Sequence, residues 1–134
     1  MERALNQVLL DKSILDEYRH GGNEAVNLVT QIISGKIEAS ISSVTVLEIW
    51  MDPALDRRIE IGFAGLLEFL REIPFDNDCA KKAGHLLRTY NTMRFGIASV
   101  LATAECHALD VLVGESNSVP ADFDIVMRCE DIEL

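Results

Sequence analysis

The segment Val8-Leu9-Leu10-Asp11-Lys12-Ser13-Ile14-Leu15 decides the fold class. Three apolar residues end at a carboxylate, and a new apolar pattern begins three residues later. This order predicts a short buried strand from Val8 to Leu10 and then a helix. Asp11 would lie at the carboxyl end of that strand, which is the edge where open α/β sheets bind their ligands. We therefore expect a functional site at this edge.

A second acid, Glu48, lies in the segment Ser42-Ser43-Val44-Thr45-Val46-Leu47-Glu48, which follows the apolar run Ala39-Ser40-Ile41. Two acids near the ends of two buried strands suggest a cation site, because hard divalent cations prefer oxygen ligands. Each acid also has a purely structural interpretation. Asp11 can cap the helix that follows it. Thr45 to Glu48 fits a capping box, which would place Glu48 at the start of a helix.

Strand and helix patterns alternate along the rest of the chain. Further strands are predicted at Glu38 to Ile41, Glu72 to Phe75, Asp110 to Val113 and Ile125 to Arg128. Three helices are predicted in the first part of the chain: one at residues 13–18, one capped by Asn23, and one from Ser42 or Ser43 to Trp50. Three more follow: a long one that begins at Asp52-Pro53, one capped by Asp76 or Asn77, and an almost wholly apolar one at 98–108. A loop at 93–96 is predicted before the last of them. Continuous apolar strands joined by helices indicate a parallel sheet covered on both faces. The prediction is a single α/β domain, residues 1–134, with three α/β/α layers around a four- to five-stranded, mostly parallel sheet.

The composition is that of an ordinary globular protein. The 134 residues are 49% hydrophobic and 25% charged, which argues against disorder. Neither a secretory signal nor a membrane-spanning stretch is recognised, so a cytoplasmic protein without membrane contact is expected. The three cysteines and three histidines are scattered and form no zinc or disulfide pattern.

The net charge of −10 opposes broad, nonspecific binding of nucleic acids, since phosphates would be repelled overall. A local basic rim remains compatible with this charge, although a solvated helix face is the favoured interpretation. The basic residues concentrated in the middle of the chain are Arg57, Arg58, Lys81, Lys82, Arg88 and Arg94.

The order of these motifs resembles the PIN domain, the fold of VapC-type toxin ribonucleases. The resemblance covers nearly the whole chain, and only the order of its pieces is specific. Those pieces are Leu9 to Leu15, Ile41 to Ile49, Ile73-Pro74-Phe75-Asp76, the small-residue helix Gly96 to Ala104, and the strand Val111-Leu112-Val113. In that family a cluster of acids at the sheet edge holds Mg²⁺ or Mn²⁺, and the metal activates water to attack an RNA phosphodiester.

The resemblance implies that Asp11 and Glu48 are the first two acids of this cluster, both as metal ligands and as catalytic residues. Ser13 matches the small polar residue after the first Asp. The third acid falls on Ser99, and the fourth falls on Ser116 of Gly114-Glu115-Ser116. Two of the four expected acids are thus serines, which would line the pocket as neutral groups.

A degraded acidic site of this kind would hold metal weakly or not at all. Four carboxylates balance two divalent ions, whereas two carboxylates balance one. Glu115 is a possible substitute acid next to Ser116, and the ammonium of Lys12 is a possible substitute cation beside Asp11.

Two hypotheses of function follow from the resemblance. One is a Mg²⁺- or Mn²⁺-dependent endoribonuclease of toxin–antitoxin type whose activity is weak or lost, with RNA as substrate and an antitoxin-like protein as partner. The alternative is a noncatalytic PIN-like binding or scaffold module. A receiver-like domain that accepts phosphate on Asp11 is disfavoured, because the sequence has no glycine-rich phosphate loop. A homodimer is expected through apolar positions among Trp50, Met51, Leu55 and Phe63, of which Leu55 and Phe63 fit a core role better.

Overall fold

The computed structural model describes residues 7–115, 119–120 and 122–132. Their strands are β1 (Val8–Leu10), β2 (Ala39–Ser42), β3 (Arg71–Ile73), β4 (Asp110–Leu112) and β5 (Val126–Met127). Their helices are α1 (Lys12–Arg19), α2 (Asn23–Ile33), α3 (Ser43–Trp50), α4 (Arg57–Leu67), α5 (Asn77–Thr89) and α6 (Phe95–His107).

The strands form one sheet in the order β3-β2-β1-β4-β5, and every pair of neighbours is parallel. β1 lies at the centre, where Val8 pairs with Ala39 on one side and with Asp110 on the other. The carboxyl ends of all five strands therefore meet at one edge. The three-layer α/β/α fold around a parallel sheet, predicted from the sequence, is confirmed.

Both faces of the sheet are buried, as the continuous apolar strands predict. Val8 and Leu10 face one core, which α1, α2, α3 and α4 cover. Leu9 faces the opposite core, which is built mainly from α5 and α6. α6 is the central helix of that layer, and its eight residues from Ile97 to Ala104 are all buried. Burial on both faces explains why β1 has no alternation of polar and apolar residues.

Several predicted boundaries are wrong, and each has a local cause. α2 begins at Asn23 itself, and the residue before it, Gly22, provides no side-chain cap. α4 begins at Arg57 rather than at Asp52-Pro53, because Asp52 accepts a hydrogen bond from the Ala54 backbone and closes a turn there. α6 begins at Phe95, so the predicted loop at 93–96 is two residues shorter. β3 begins one residue earlier than predicted and ends at Ile73.

No helix in the part of the chain that the structure describes is long and apolar enough to cross a membrane.

Candidate functional site

A cavity of about 250 Å³ lies at the carboxyl edge of the sheet, beside the end of β1. It is lined by Asp11, Lys12, Ser13, Asp16, Glu48, Arg94, Gly96 and Ile97. Asp11 and Glu48, the two acids implied by the resemblance, thus line one cavity. α1, α3 and the first turn of α6 supply the walls, and we call this space the Asp11 cavity.

Asp11 is buried at the end of β1 and is the N-cap of α1. Its Oδ2 accepts hydrogen bonds from the backbone N–H of Ser13 at 3.1 Å and from the Ser13 hydroxyl at 2.5 Å. The capping role considered for Asp11 is therefore present. The same hydroxyl accepts a hydrogen bond from the Gly114 N–H at 2.8 Å, so Ser13 links the ends of β1 and β4.

Glu48 is the sixth residue of α3, whose N-cap is Ser42. The capping-box interpretation of Thr45 to Glu48 is therefore wrong. Glu48 Oε1 is buried and has no hydrogen-bond partner among the described residues. Burial raises the pKa of this carboxyl group, and the negative charges of Asp11 and Asp16 raise it further, while Lys12 partly offsets them.

Lys12 lines the cavity, but its ion pair is with Asp16. Its Nζ lies 3.1 Å from both carboxylate oxygens of Asp16, one helical turn further along α1. Arg94 lies at the exposed start of α6 and is the second cation of the cavity. The side chains of Lys12 and Arg94 therefore supply positive charge to the cavity.

The remaining predicted residues lie elsewhere. Ser99 is fully buried, and its hydroxyl donates to the Phe95 carbonyl at 2.8 Å, whereas Gly96 and Ile97 are the α6 residues that line the cavity. Glu115 lines a second cavity of about 190 Å³, next to Glu17 and Arg128. Ser116 lies outside the described residues.

Sequence reasoning did not assign Asp16, Arg94 and Gly96 to the site. Asp16 follows Lys12 by four residues on a predicted helix, a spacing that places both on one face and could have revealed it. Arg94 and Gly96 are predicted to lie in a loop, because α6 begins without a side-chain cap and a glycine so close to its start is typical of a helix boundary.

The cavity residues do not fit a two-metal centre. Among the described residues, no group of three or more His, Cys, Asp or Glu side chains is arranged to hold a metal ion. One oxygen of Asp11 already serves Ser13, and both oxygens of Asp16 serve Lys12. Two of the three acids that line the cavity, Asp11 and Asp16, therefore accept hydrogen bonds from the chain's own donors.

The comparisons establish the fold. No family model matches the sequence, and no relative is found among curated proteins. A chain in a toxin–antitoxin complex from Klebsiella pneumoniae is similar with a TM-score of 0.73 and 24% identity, over 93% of this chain and 99% of that one. A chain of a promoter-bound VapBC complex from Rickettsia felis has a TM-score of 0.68 and 13% identity, over 92% and 97%. A chain of DNA-bound VapBC from Salmonella typhimurium has a TM-score of 0.64 and 16% identity, over 94% and 99%. These likenesses show that the chain shares the fold of those chains, in agreement with the PIN-like fold that the resemblance implies.

Proposed function

We propose that this chain is a noncatalytic, PIN-like protein-binding module of toxin–antitoxin type, in which metal-dependent ribonuclease activity is lost. The observation that carries the proposal is that Lys12 and Arg94 line the same cavity as Asp11 and Glu48. The acids that would attract a metal ion in a related nuclease are here accompanied by fixed positive charge.

Charge decides against strong metal binding. Three carboxylates and two cations line the cavity, which leaves a formal charge of −1. Lys12 is already paired with Asp16, so the charge left to attract a cation is that of Asp11 and Glu48, reduced by that of Arg94. This residual charge attracts a divalent ion far less than the four carboxylates of the family pattern would. We therefore expect no RNA cleavage by a resident Mg²⁺ or Mn²⁺.

An exposed apolar surface supports a protein partner. On α3, the side chains of Leu47, Trp50 and Met51 are 59%, 38% and 67% exposed. Their spacing of three and four residues places them on one face of the helix. Large apolar side chains grouped on a surface are typical of protein-binding sites. Leu55 and Phe63 pack into or against the core instead, so they are not part of this surface.

One structure to which this chain is similar is described as a toxin–antitoxin complex, and two others are described as VapBC bound to DNA. We therefore propose an antitoxin-like protein or a second copy of the chain as the partner of the α3 surface. The homodimer is tested by sedimentation equilibrium. We expect a dimer that Met51→Glu dissociates and that Phe69→Glu, at another exposed apolar side chain, leaves intact. A monomeric wild-type protein would contradict the homodimer.

The loss of catalysis is tested by a ribonuclease assay with Mg²⁺ or Mn²⁺ on single-stranded and structured RNA. We expect no metal-dependent cleavage above that of Asp11→Asn, with circular dichroism confirming that the variant is folded.

The second candidate function is a weak divalent-metal-dependent endoribonuclease. The unpartnered, buried Oε1 of Glu48 favours it, because a free carboxylate oxygen beside Asp11 is a feature that a cation could use. Metal-dependent cleavage by the wild type that is absent from Asp11→Asn would establish this function and overturn the noncatalytic proposal.

A further inference from the structure

Gly96, in the first turn of α6, lies directly against the carboxylate of Glu48. A Cβ atom placed on Gly96 would be 2.6 Å from Glu48 Oε2, 3.2 Å from Cδ and 3.3 Å from Oε1. Real Cβ atoms essentially never approach another heavy atom to less than 3.0 Å. The Glu48 carboxylate therefore occupies the space that any side chain at position 96 would need.

The position of Glu48 depends on this space rather than on hydrogen bonds. α3 and α6 pack against each other, so Glu48 reaches the α6 backbone from a neighbouring helix. Its Oε1 is buried but has no hydrogen-bond partner among the described residues. Close packing, rather than a donor on Oε1, keeps that oxygen where it is.

We infer that Gly96 is a positioning residue for Glu48: the absence of a side chain at position 96 lets the Glu48 carboxylate lie on α6 and face the Asp11 cavity. If residue 96 had a side chain, the Glu48 carboxylate could not keep its present position. This inference holds whether or not the cavity binds a cation, so its failure is distinguishable from failure of the proposed function.

A double-mutant cycle of thermal unfolding tests the inference. Replacing glycine by alanine in a helix normally stabilises it, because alanine has the higher helix propensity. We expect Gly96→Ala to displace the end of the flexible Glu48 side chain, and therefore to raise the Tm less in the wild type than the about 2–5 °C expected in a Glu48→Ala background, where the obstacle is gone. An equal rise in both backgrounds would overturn the inference.

Gly62→Ala is the matched control. Gly62 lies in α4, and nothing is within 4 Å of a Cβ placed there. This variant should raise the Tm equally with and without Glu48. If Gly96→Ala does not fold, the Glu48→Ala/Gly96→Ala double variant should fold. Failure of the double variant as well would show that something other than Glu48 closes the space, and the inference would be wrong.

A spectroscopic measurement separates positioning from simple stabilisation. The side-chain carboxyl ¹³C resonance of Glu48, followed at one fixed pH, should shift in Gly96→Ala and stay unchanged in Gly62→Ala. The resonance is assigned by its absence from Glu48→Ala. An unchanged resonance in Gly96→Ala would overturn the inference, because the carboxylate would not have moved.

Discussion

Two cavities lie at the carboxyl edge of the sheet, and a glycine lies beside a glutamate in both of them. In the Asp11 cavity, Gly96 of α6 leaves room for Glu48 of α3. In the second cavity, Gly114 after β4 leaves room for Glu17 of α1, whose carboxylate overlaps the position of a Cβ at 114. Both glycines lie in or next to segments where the resemblance implies an acid.

The two cavities differ in what surrounds the glutamate. Arg128 donates a hydrogen bond to the Gly114 carbonyl, so a basic side chain ties β4 to the segment after β5. Glu48, in contrast, keeps a buried oxygen without a partner among the described residues. The comparison suggests that the Glu17 cavity serves the structure, while the Asp11 cavity retains an unsatisfied group that a ligand could use.

The largest expected effect is a loss of stability in Gly114→Ala. The new Cβ would overlap the Glu17 carboxylate and lie 3.1 Å from the Ser13 backbone carbon. Overpacking of this kind costs about 1–3 kcal/mol, and we expect the upper half of that range in urea unfolding. Glu17→Ala should recover only part of the loss, because the Ser13 backbone remains. A variant as stable as Gly62→Ala would contradict the close packing at this position.

Ser13→Ala should cause the second largest effect, because Ser13 connects the two cavities. Its buried hydroxyl donates to Asp11 and accepts from the Gly114 N–H, so the substitution leaves both groups without this partner. A buried group that loses its hydrogen bond costs about 1–3 kcal/mol. The free energy of unfolding measures the loss, and Ser34→Ala, at an exposed hydroxyl, is the control. If Ser13→Ala were as stable as Ser34→Ala, the hydrogen bonds of Ser13 between the two cavities would contribute nothing to stability.

The fold could be predicted from the sequence because its signals are local. Each of three apolar segments, β1, β4 and α6, predicts a buried element from its own residues alone. Asp11 was assigned to the sheet edge for the same reason, since it directly follows a strand. Boundaries near Asp52 and Gly96 were misjudged, because competing turn and helix signals lie within a few residues of each other.

The content of the site could be predicted only in part, because it depends on contacts between distant elements. The resemblance implies a pocket-lining role for Ser99, yet Gly96 and Ile97 are the α6 residues that line the cavity. Nothing in the local sequence shows that Glu48 would fill the space above Gly96, forty-eight residues later in the chain. Charge compensation by Arg94 likewise arises only once α6 is packed against α3.

Glu48→Gln should stabilise the protein at neutral pH by about 1 kcal/mol, the order expected for removing a poorly satisfied buried charge. The pKa of Glu48 is raised in the folded state above its ordinary value of 4.5. Folding therefore favours the protonated form, and the charged form costs stability above the raised pKa. The advantage of the variant should shrink as the pH falls through that pKa toward 4.5. The difference in Tm between Glu48→Gln and the wild type is measured as a function of pH, with Glu68→Gln, at an exposed side chain, as the control. A difference that does not change with pH would exclude ionisation of Glu48 as the cause.

The smallest expected effect is that of Asp16→Asn. The Lys12–Asp16 ion pair joins side chains that are 25% and 40% exposed, and pairs of this kind contribute about 0.2–1 kcal/mol. The substitution also removes a negative charge that disfavours ionised Glu48, and it frees Lys12 to approach Asp11 and Glu48, so the two consequences partly cancel the lost pair. We expect a change below about 0.5 kcal/mol in urea unfolding, smaller still at high salt. A loss comparable to that of Ser13→Ala would mean that Lys12 depends on Asp16 for its position, and that the charge balance of the Asp11 cavity rests on the ion pair.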